Sequence, residues 1–254
     1  MDPAVQARLL EINRRFSATV AEPFDATRRG TSSGKSALIA RLALRPGATV
    51  IDVGCGNGRL AWLLDARGVP IHYVGVDGDA TLLALARTHT ADLTQVTCRF
   101  VQTDLARPDW TAAVTLPPDG CDAVVCLATL QHLPGRDLRA RVMADLASLV
   151  APTGIVAVSA WQFLAADRFV AKQIDWATVG LAPTDVEPGD ALLPWQQGGY
   201  AVRYVHHIDL TELTELAAQA GLTVTETYTA DGKEGNLNLY ALLRREREPS
   251  GRAR

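Results

Sequence analysis

The sequence predicts an α/β fold, a mostly parallel sheet with helices on both of its faces. Three observations predict it. Short, β-branched apolar runs alternate with helix-length amphipathic segments along most of the chain. The runs are apolar throughout rather than alternating, as strands are when both faces of the sheet are covered. A glycine-rich turn follows the first run directly, and an acid stands after each of the next two.

In chain order, residues 3–28 read as an amphipathic helix and a turn. Leu9, Leu10, Ile12 and Phe16 share a face, and Pro23 interrupts the pattern. A second helix, about 34–44, presents Leu38, Ile39 and Leu42. The first strand, Ala48–Val53, stops at the turn Gly54-Cys-Gly-Asn-Gly58, and Arg59–Leu64 begins a helix. Strands follow at Ile71–Val76, Gln95–Gln102, Asp122–Leu127 and Gly154–Ala160, with helices at Ala80–Arg87 and Arg136–Leu149. Residues 161–209 break this rhythm with Pro183, Pro188, Pro194 and few strand signals, so they read as an insertion or lid. A helix at about 210–220 ends at Gly221. Leu222–Tyr228 and Leu237–Leu243 then read as a closing antiparallel hairpin. The organisation expected is an N-terminal helical arm (1–45), a main domain (46–245) carrying the lid, and a basic tail (246–254).

Composition narrows the class. Hydrophobic residues make up 48% of the 254 and charged residues 21%, as in an ordinary globular protein. No run approaches the roughly eighteen apolar residues of a membrane-spanning helix, and the first sixteen residues carry charges where a leader needs an apolar stretch. Cys55, Cys98, Cys121 and Cys126 show neither CxxC spacing nor histidine partners at zinc-ligand spacing, so no disulfide scaffold and no metal are expected. These features predict a cytoplasmic protein with reduced thiols. The net charge is −3, but residues 1–45 hold eight Lys/Arg against four Asp/Glu and residues 241–254 hold five against two. Basic ends suit a polyanion, whereas the acidic middle carries no domain-wide nucleic-acid footprint. Three of the 25 basic residues are lysines, which coding bias explains as well as phosphate binding does.

The turn after the first strand lies where open α/β sheets bind ligands. Its spacing is GxGxG, not the GxGxxG of dinucleotide enzymes, and Asp52 at its entrance would repel a pyrophosphate but suits an ammonium group. Glycine lets the backbone approach a ligand closely. Asp77, followed by Gly78, ends the second strand and can accept both hydroxyls of a ribose. Asp104 follows the third strand and can accept from an adenine amino group. Each acid alone is as well explained as a helix cap. Three in register on successive strands point to one nucleoside-bearing ligand, with a nicotinamide dinucleotide as the rival.

This set resembles the class I methyltransferases that use S-adenosylmethionine, across about residues 46–160 and 210–245. The resemblance implies a Rossmann-like, seven-stranded sheet. It also implies that Gly54, Gly56 and Gly58 hold the methionine part, Asp77 and Gly78 the ribose, and Asp104 with Leu105 the adenine, beside Leu127 at the end of the fourth strand. Amine methylators of that family often carry Asn/Asp-Pro-Pro-Tyr after the fourth strand. Here Cys126-Leu-Ala-Thr-Leu-Gln-His132-Leu-Pro134 stands instead, which favours an oxygen or carbon acceptor. His132 can orient an acceptor or take a proton, or equally cap a helix or pack in the core.

The wider pattern is similar to the eukaryotic-type tRNA wobble-uridine methyltransferases, which esterify 5-carboxymethyluridine. Thr27-Arg28, Gln131-His132-Leu133, Pro194-Trp195, Arg203-Tyr204-Val205-His206 and Asn238-Leu-Tyr240 carry that likeness. Val205, Gln131 and Arg29-Gly30 depart from it. The resemblance implies Arg28 and Arg203 as clamps at the edge of an anion or on phosphate, and places His206 in the substrate site. It also implies tRNA as acceptor and a small zinc-binding activator protein as partner, while Trp195 and Tyr204 can stack on an unpaired base or pack the lid. A small-molecule carboxyl or hydroxyl acceptor, and a cofactor-binding protein without catalysis, are the alternatives. His206-His207 reads as one buried and one solvated ring rather than a metal pair.

Overall fold

The computed structural model describes residues 1–26 and 32–246. Helix α1 (Pro3–Ala26) buries Leu9, Ile12, Phe16 and Val20 on one stripe. Pro23 does not end it, contrary to the sequence expectation. It sits in the last turn, so the one ladder bond that its missing N–H forgoes falls at the helix end rather than in its middle. Helix α2 (Ser33–Leu42) is capped by Ser32, whose hydroxyl accepts from the Lys35 amide. Then strands β1 (Ala48–Val53), β2 (Ile71–Asp77), β3 (Val96–Gln102) and β4 (Cys121–Leu127) alternate with helices α3 (Arg59–Asp65) and α4 (Ala80–His89). Helix α5 (Arg136–Leu149), strand β5 (Val150–Trp161) and a single turn α6 (Asp167–Val170) follow. Strands β6 (Asp190–Trp195) and β7 (Ala201–His206), helix α7 (Leu210–Gln219) and strands β8 (Leu222–Ala230) and β9 (Asn238–Arg245) complete the order.

The main sheet runs β3-β2-β1-β4-β5-β9-β8, parallel from β3 to β5, with β9 antiparallel between β5 and β8. This is the expected Rossmann-like sheet. The strand order reverses between β1 and β4, and the carboxyl ends of those strands form the crevice that such sheets use for ligands. Two apolar cores cover the faces, one under α5 and α7, the other under α2, α3 and α4.

Residues 161–209 do hold strands, which corrects the sequence reading. β6 and β7 pair antiparallel as a separate ribbon, joined through Gly198 and Gly199. Pro194 hid the first strand, although an edge strand tolerates proline. Alternate residues of the ribbon face opposite ways. Ala191, Leu193 and Val205 pack on Trp161 and Phe163 at the sheet, while Leu192 and Tyr204 pack on Leu9 and Ile12 of α1. The ribbon is thus sandwiched between the sheet's edge and the N-terminal helix.

A buried charge network fastens the ribbon. Arg139, on α5 and 1% exposed, reaches Glu187 at 2.8 Å and Glu212 at 2.8 Å. His206, also buried, places Nδ1 2.6 Å from Asp190 and Nε2 2.7 Å from Glu212. Carboxylate oxygens only accept, so both ring nitrogens carry protons and the ring is an imidazolium. Burial lowers its pKa, but the hydrogen bonds to Asp190 and Glu212 outweigh that and raise it above its ordinary value. Burial works upward on Glu187 and Glu212; their hydrogen bonds, from the Arg136 amide and Arg139 and from His206 respectively, prevail and hold both low. Glu187, Asp190 and His206 are close enough to bind a metal ion, but Arg139, Tyr204 and Glu212 already occupy their polar atoms.

Arg139→Ala removes the guanidinium from two partly buried carboxylates, leaving Glu187 the Arg136 amide and Glu212 the His206 ring, and should cost about 3–5 kcal/mol in urea unfolding. The pH dependence has a defined sign. The His206 contribution is complete below its ordinary value of 6.5 and is lost as pH rises through the raised one. The Glu187 and Glu212 contributions are complete above 4.5 and are lost as pH falls through the lowered values. Unfolding free energy should therefore decline as pH rises above 6.5 through the raised value in the wild type, and His206→Gln should remove that decline; an unchanged slope would refute the imidazolium.

Candidate active site

The loop after β1 turns through three left-handed glycines, Gly54, Gly56 and Gly58 (φ 77°, 54° and 74°). Each has a different neighbour. A methyl on Gly54 would overlap Thr129 of the loop after β4, and one on Gly58 would stand 3.1 Å from Ala86 of α4. A methyl on Gly56 would meet nothing within 4 Å, so here the bare backbone borders open space. The loop is therefore wedged at both ends and accessible in its middle.

Asp77 braces that middle. Its Oδ2 accepts from the Gly56 amide at 2.8 Å and its Oδ1 from the Asp79 amide at 2.9 Å. Burial raises the pKa of its carboxyl against these amides, which favour the charged form. A carboxylate offers about four acceptor positions, so capacity remains for a hydroxyl pair. Gly78 is exposed beside it, and Asp79, not Asp77, caps α4. Asp104 accepts from the Ala106 amide through Oδ1 and from Arg14 of α1 through Oδ2 at 2.9 Å. Leu105 is buried in the core, with its carbonyl accepting from Arg141. Leu127 ends β4, half-buried.

Asp52 lies deeper than the sequence reading placed it. It is 4% exposed and accepts from the Tyr73 hydroxyl at 2.7 Å, beneath the loop rather than at its entrance. Burial pushes its pKa up to about 6, against the Tyr73 hydrogen bond and the attraction of Lys35. Its pull on an ammonium group is correspondingly weaker than that of a solvated carboxylate.

The side chains expected on the acceptor side lie over the ends of β4 and β5. Gln131 accepts from the Trp161 amide at 2.7 Å, fixing the loop after β4 to the end of β5. His132 sets Nδ1 3.2 Å from the Tyr204 carbonyl. The Arg203 guanidinium sits 4.5 Å from the Trp161 ring, 5.5 Å from Phe16 and 5.9 Å from Trp195. Sheet, arm and ribbon each contribute one of these aromatics.

Three expected substrate contacts are corrected. Tyr204 is fully buried and donates its hydroxyl to Asp190 at 2.7 Å, so it stacks on no base. Trp195 is 9% exposed, packs edge-on against Phe16 and donates its indole N–H to the Gln197 carbonyl. His206 belongs to the Arg139 network. For all three the packing reading prevails, because the ribbon turns them inward. His207 is half-buried, edge-on to Phe163. Arg28, with Thr27, lies outside the described residues.

Sequence reasoning missed the contacts of α1. Asp25, 3% exposed, accepts from Asn57 of the glycine loop at 2.7 Å and lies 3.5 Å from His89. Arg14 meets Asp104, and Asn13 bonds both His132 and Tyr204 through their backbones. The arm thus lies across the whole crevice. The spacing of Asn13, Arg14 and Asp25 carries no local signal, since polar residues on a helix read as a solvated face.

The fold and this glycine-and-acid crevice define a class I methyltransferase, the type whose methyl donor is S-adenosylmethionine. The family model for the methyltransferase domain matches residues 27–227, and the chain belongs to that family. Trans-aconitate 2-methyltransferase of Escherichia coli is 31% identical over 121 residues, which span 48% of this chain and 42% of that protein. The chain thus matches less than half the length of this relative. A SAM-dependent methyltransferase from Methanosarcina mazei superposes with a TM-score of 0.63 at 18% identity, covering 83% of this chain and 98% of its own. The CcbJ methyltransferase from Streptomyces caelestis gives 0.61 at 20% identity, covering 90% and 97%. At those identities the two structures attest the fold. Among the described residues no helix is long and apolar enough to cross a membrane.

S-Adenosylmethionine fits the crevice on chemical grounds: an uncovered glycine backbone at Gly56, a carboxylate at Asp77 with acceptor capacity, and a second carboxylate at Asp104. Asp77→Ala should weaken its binding by about 1.5–3 kcal/mol, the cost of hydrogen bonds to a charged group. Calorimetry that returned the wild-type affinity would remove Asp77 from the site.

Proposed function

We propose that the protein transfers the methyl group of S-adenosylmethionine to a carboxylate oxygen of a small organic acid. The observation that carries this reading is Arg203, a cation set among Trp161, Phe16 and Trp195 above the ends of β4 and β5. Bound in the glycine-loop crevice, S-adenosylmethionine supplies an electrophilic methyl group on a sulfonium.

The chain's own residues have a limited task. A carboxylate is already a nucleophile at neutral pH, so in-line positioning and exclusion of water suffice without a general base. A guanidinium is planar, and its N–H groups radiate in its plane. Ring faces in cation–π contact hold such a cation in place, and a guanidinium's planar fork matches a two-pronged carboxylate in geometry. Because the rings compete for the same charge, the cation positions the anion without quenching it fully. The ribbon and α1 exclude water from above.

The relative named for trans-aconitate supports a small polycarboxylic acceptor. The tRNA reading rests on the resemblance carried by Thr27-Arg28, Gln131-His132-Leu133, Pro194-Trp195, Arg203-Tyr204-Val205-His206 and Asn238-Leu-Tyr240 and on the basic ends, and it loses support where Trp195 and Tyr204 are committed to packing. Both readings share an ester product, so one experiment separates them. Labelled S-adenosylmethionine is offered with a panel of di- and tricarboxylic acids, trans-aconitate among them, and in parallel with alkali-treated bulk tRNA. Alkali-labile label on a small acid is the expected result. Label on tRNA alone, with or without an added zinc-binding activator, would replace this reading by the other.

With an accepted acid, Arg203→Ala should raise the acceptor KM by about 10- to 100-fold, the worth of a charge-assisted hydrogen bond. The affinity for S-adenosylmethionine should stay nearly unchanged. An equal fall in both would move Arg203 to the cofactor site or the fold.

A further inference from the structure

We infer that Asn13 of α1 is a positioning residue for the acceptor side of the site, an inference that rests on the carboxylate reading just given for Arg203. The Asn13 carboxamide joins two chain segments that are otherwise remote. Its Nδ2 donates to the His132 carbonyl at 3.0 Å, and its Oδ1 accepts from the Tyr204 amide at 2.8 Å. The orientation of the amide follows from chemistry: a backbone N–H can meet only the oxygen, and a carbonyl can meet only the NH2. Between the same two segments runs a third bond, from His132 Nδ1 to the Tyr204 carbonyl. Asn13, His132 and Tyr204 therefore form a closed ring of three hydrogen bonds.

Two consequences follow for the site. A carbonyl cannot donate, so His132 must carry its proton on Nδ1, and in the neutral ring Nε2 then bears the lone pair. In that tautomer Nε2 is fixed as a hydrogen-bond acceptor. Arg203 precedes Tyr204 on β7, and successive side chains of a strand point to opposite faces. Fixing the Tyr204 backbone therefore fixes where the Arg203 stem begins, on the face toward Trp161.

Packing does not require this residue. Asn13 lies on the stripe of α1 with Leu9, Ile12 and Phe16, where an apolar side chain would serve the helix contact. Gln6, two turns earlier on the same face, supplies a plain docking contact to the next part of that loop, donating to the Pro134 carbonyl at 2.8 Å. The two amides divide the labour: Gln6 holds the arm down, and Asn13 ties the arm to the histidine and to the arginine-bearing strand.

The test uses the full chain and compares Asn13→Asp, Asn13→Leu and Gln6→Ala. Asn13→Asp keeps an oxygen for the Tyr204 amide but turns an acceptor toward the His132 carbonyl; Asn13→Leu removes both bonds. Two readouts are taken. Nitrogen-15 NMR of the imidazoles reports the His132 tautomer and needs no acceptor. Steady-state kinetics with the best acid from the panel report kcat and KM. In the wild type His132 should be the Nδ1–H tautomer. Both Asn13 variants should mix the tautomers and lower kcat/KM for the acid at least tenfold, with S-adenosylmethionine affinity within twofold. Gln6→Ala should lower the melting temperature without moving either readout. A wild-type tautomer and wild-type kcat/KM in Asn13→Asp would overturn the proposal, as would an Nε2–H tautomer in the wild type. Should no acid be methylated, the carboxylate reading fails by itself, and the tautomer comparison still decides the role of Asn13.

Discussion

The buried cation of Arg139 is the constraint on which the acceptor side of the molecule depends. A guanidinium at 1% exposure is tolerable only when its donors are met, and Glu187, Glu212 and the Leu133 carbonyl meet them. Each carboxylate carries the constraint outward. Glu212 passes it to His206, His206 to Asp190, and Asp190 to the Tyr204 hydroxyl. By the end of the chain of contacts, both strands of the β6–β7 ribbon are fixed relative to α5 and α7. A slip of the ribbon by one residue would bury Arg203 in place of Tyr204 and strand several charges. Buried ion networks add little net stability, but they admit few alternative geometries, and here the geometry they select places Arg203 against Trp161.

The cofactor side is held by a different kind of force. Its loop owes its shape to backbone conformation and close contact: Gly54 against Thr129, Gly58 against Ala86, and Asp77 drawing the Gly56 amide into line. These constraints are local, spanning β1, β2 and α4, and they persist whatever the ribbon does. The arm joins the two regimes. Through Asp25 it touches Asn57 in the loop, through Arg14 it touches Asp104, and through Asn13 it touches the ribbon. Most of these contacts are single hydrogen bonds, and the Arg14–Asp104 pair is half exposed, so each is individually weak. The arm's hold on the ribbon therefore rests mainly on its buried stripe of Leu9, Ile12, Phe16 and Val20.

That difference explains what was legible in the sequence. The glycine loop, Asp77 and Asp104 were readable because their spacing is set by strand and turn geometry within one chain segment. The mostly parallel sheet followed from the alternation of apolar runs. Trp195, Tyr204 and His206 misled because a resemblance conveys which residues occur, not which face of a strand they occupy. In the ribbon, one position decides between a cation beside the acceptor and a phenol in the core. Pro194 masked the strand itself, so the alternation that separates Arg203 from Tyr204 could not be applied. Arg139 was invisible for the opposite reason, since an arginine in a helix with mixed charges reads as solvated, and its partners lie 48 and 73 residues away.

The placement of His206 and Arg203 three residues apart on one short strand shows how the two charges divide their roles. His206 is neutralised on both sides by carboxylates at hydrogen-bond distance, and its charge is spent within the core. Arg203 lies over three ring faces, whose quadrupoles stabilise a cation by about 0.5–2 kcal/mol each and take no stoichiometric negative charge in return. A ring face, unlike a carboxylate, does not cancel the field that an anionic acceptor needs. An open, hydrated arginine would hold the anion too loosely for in-line attack. Aromatic neighbours from sheet, arm and ribbon satisfy both requirements together, and they do so only when all three elements are docked, so under the proposed reading affinity for an anion depends on the docked arrangement of the arm.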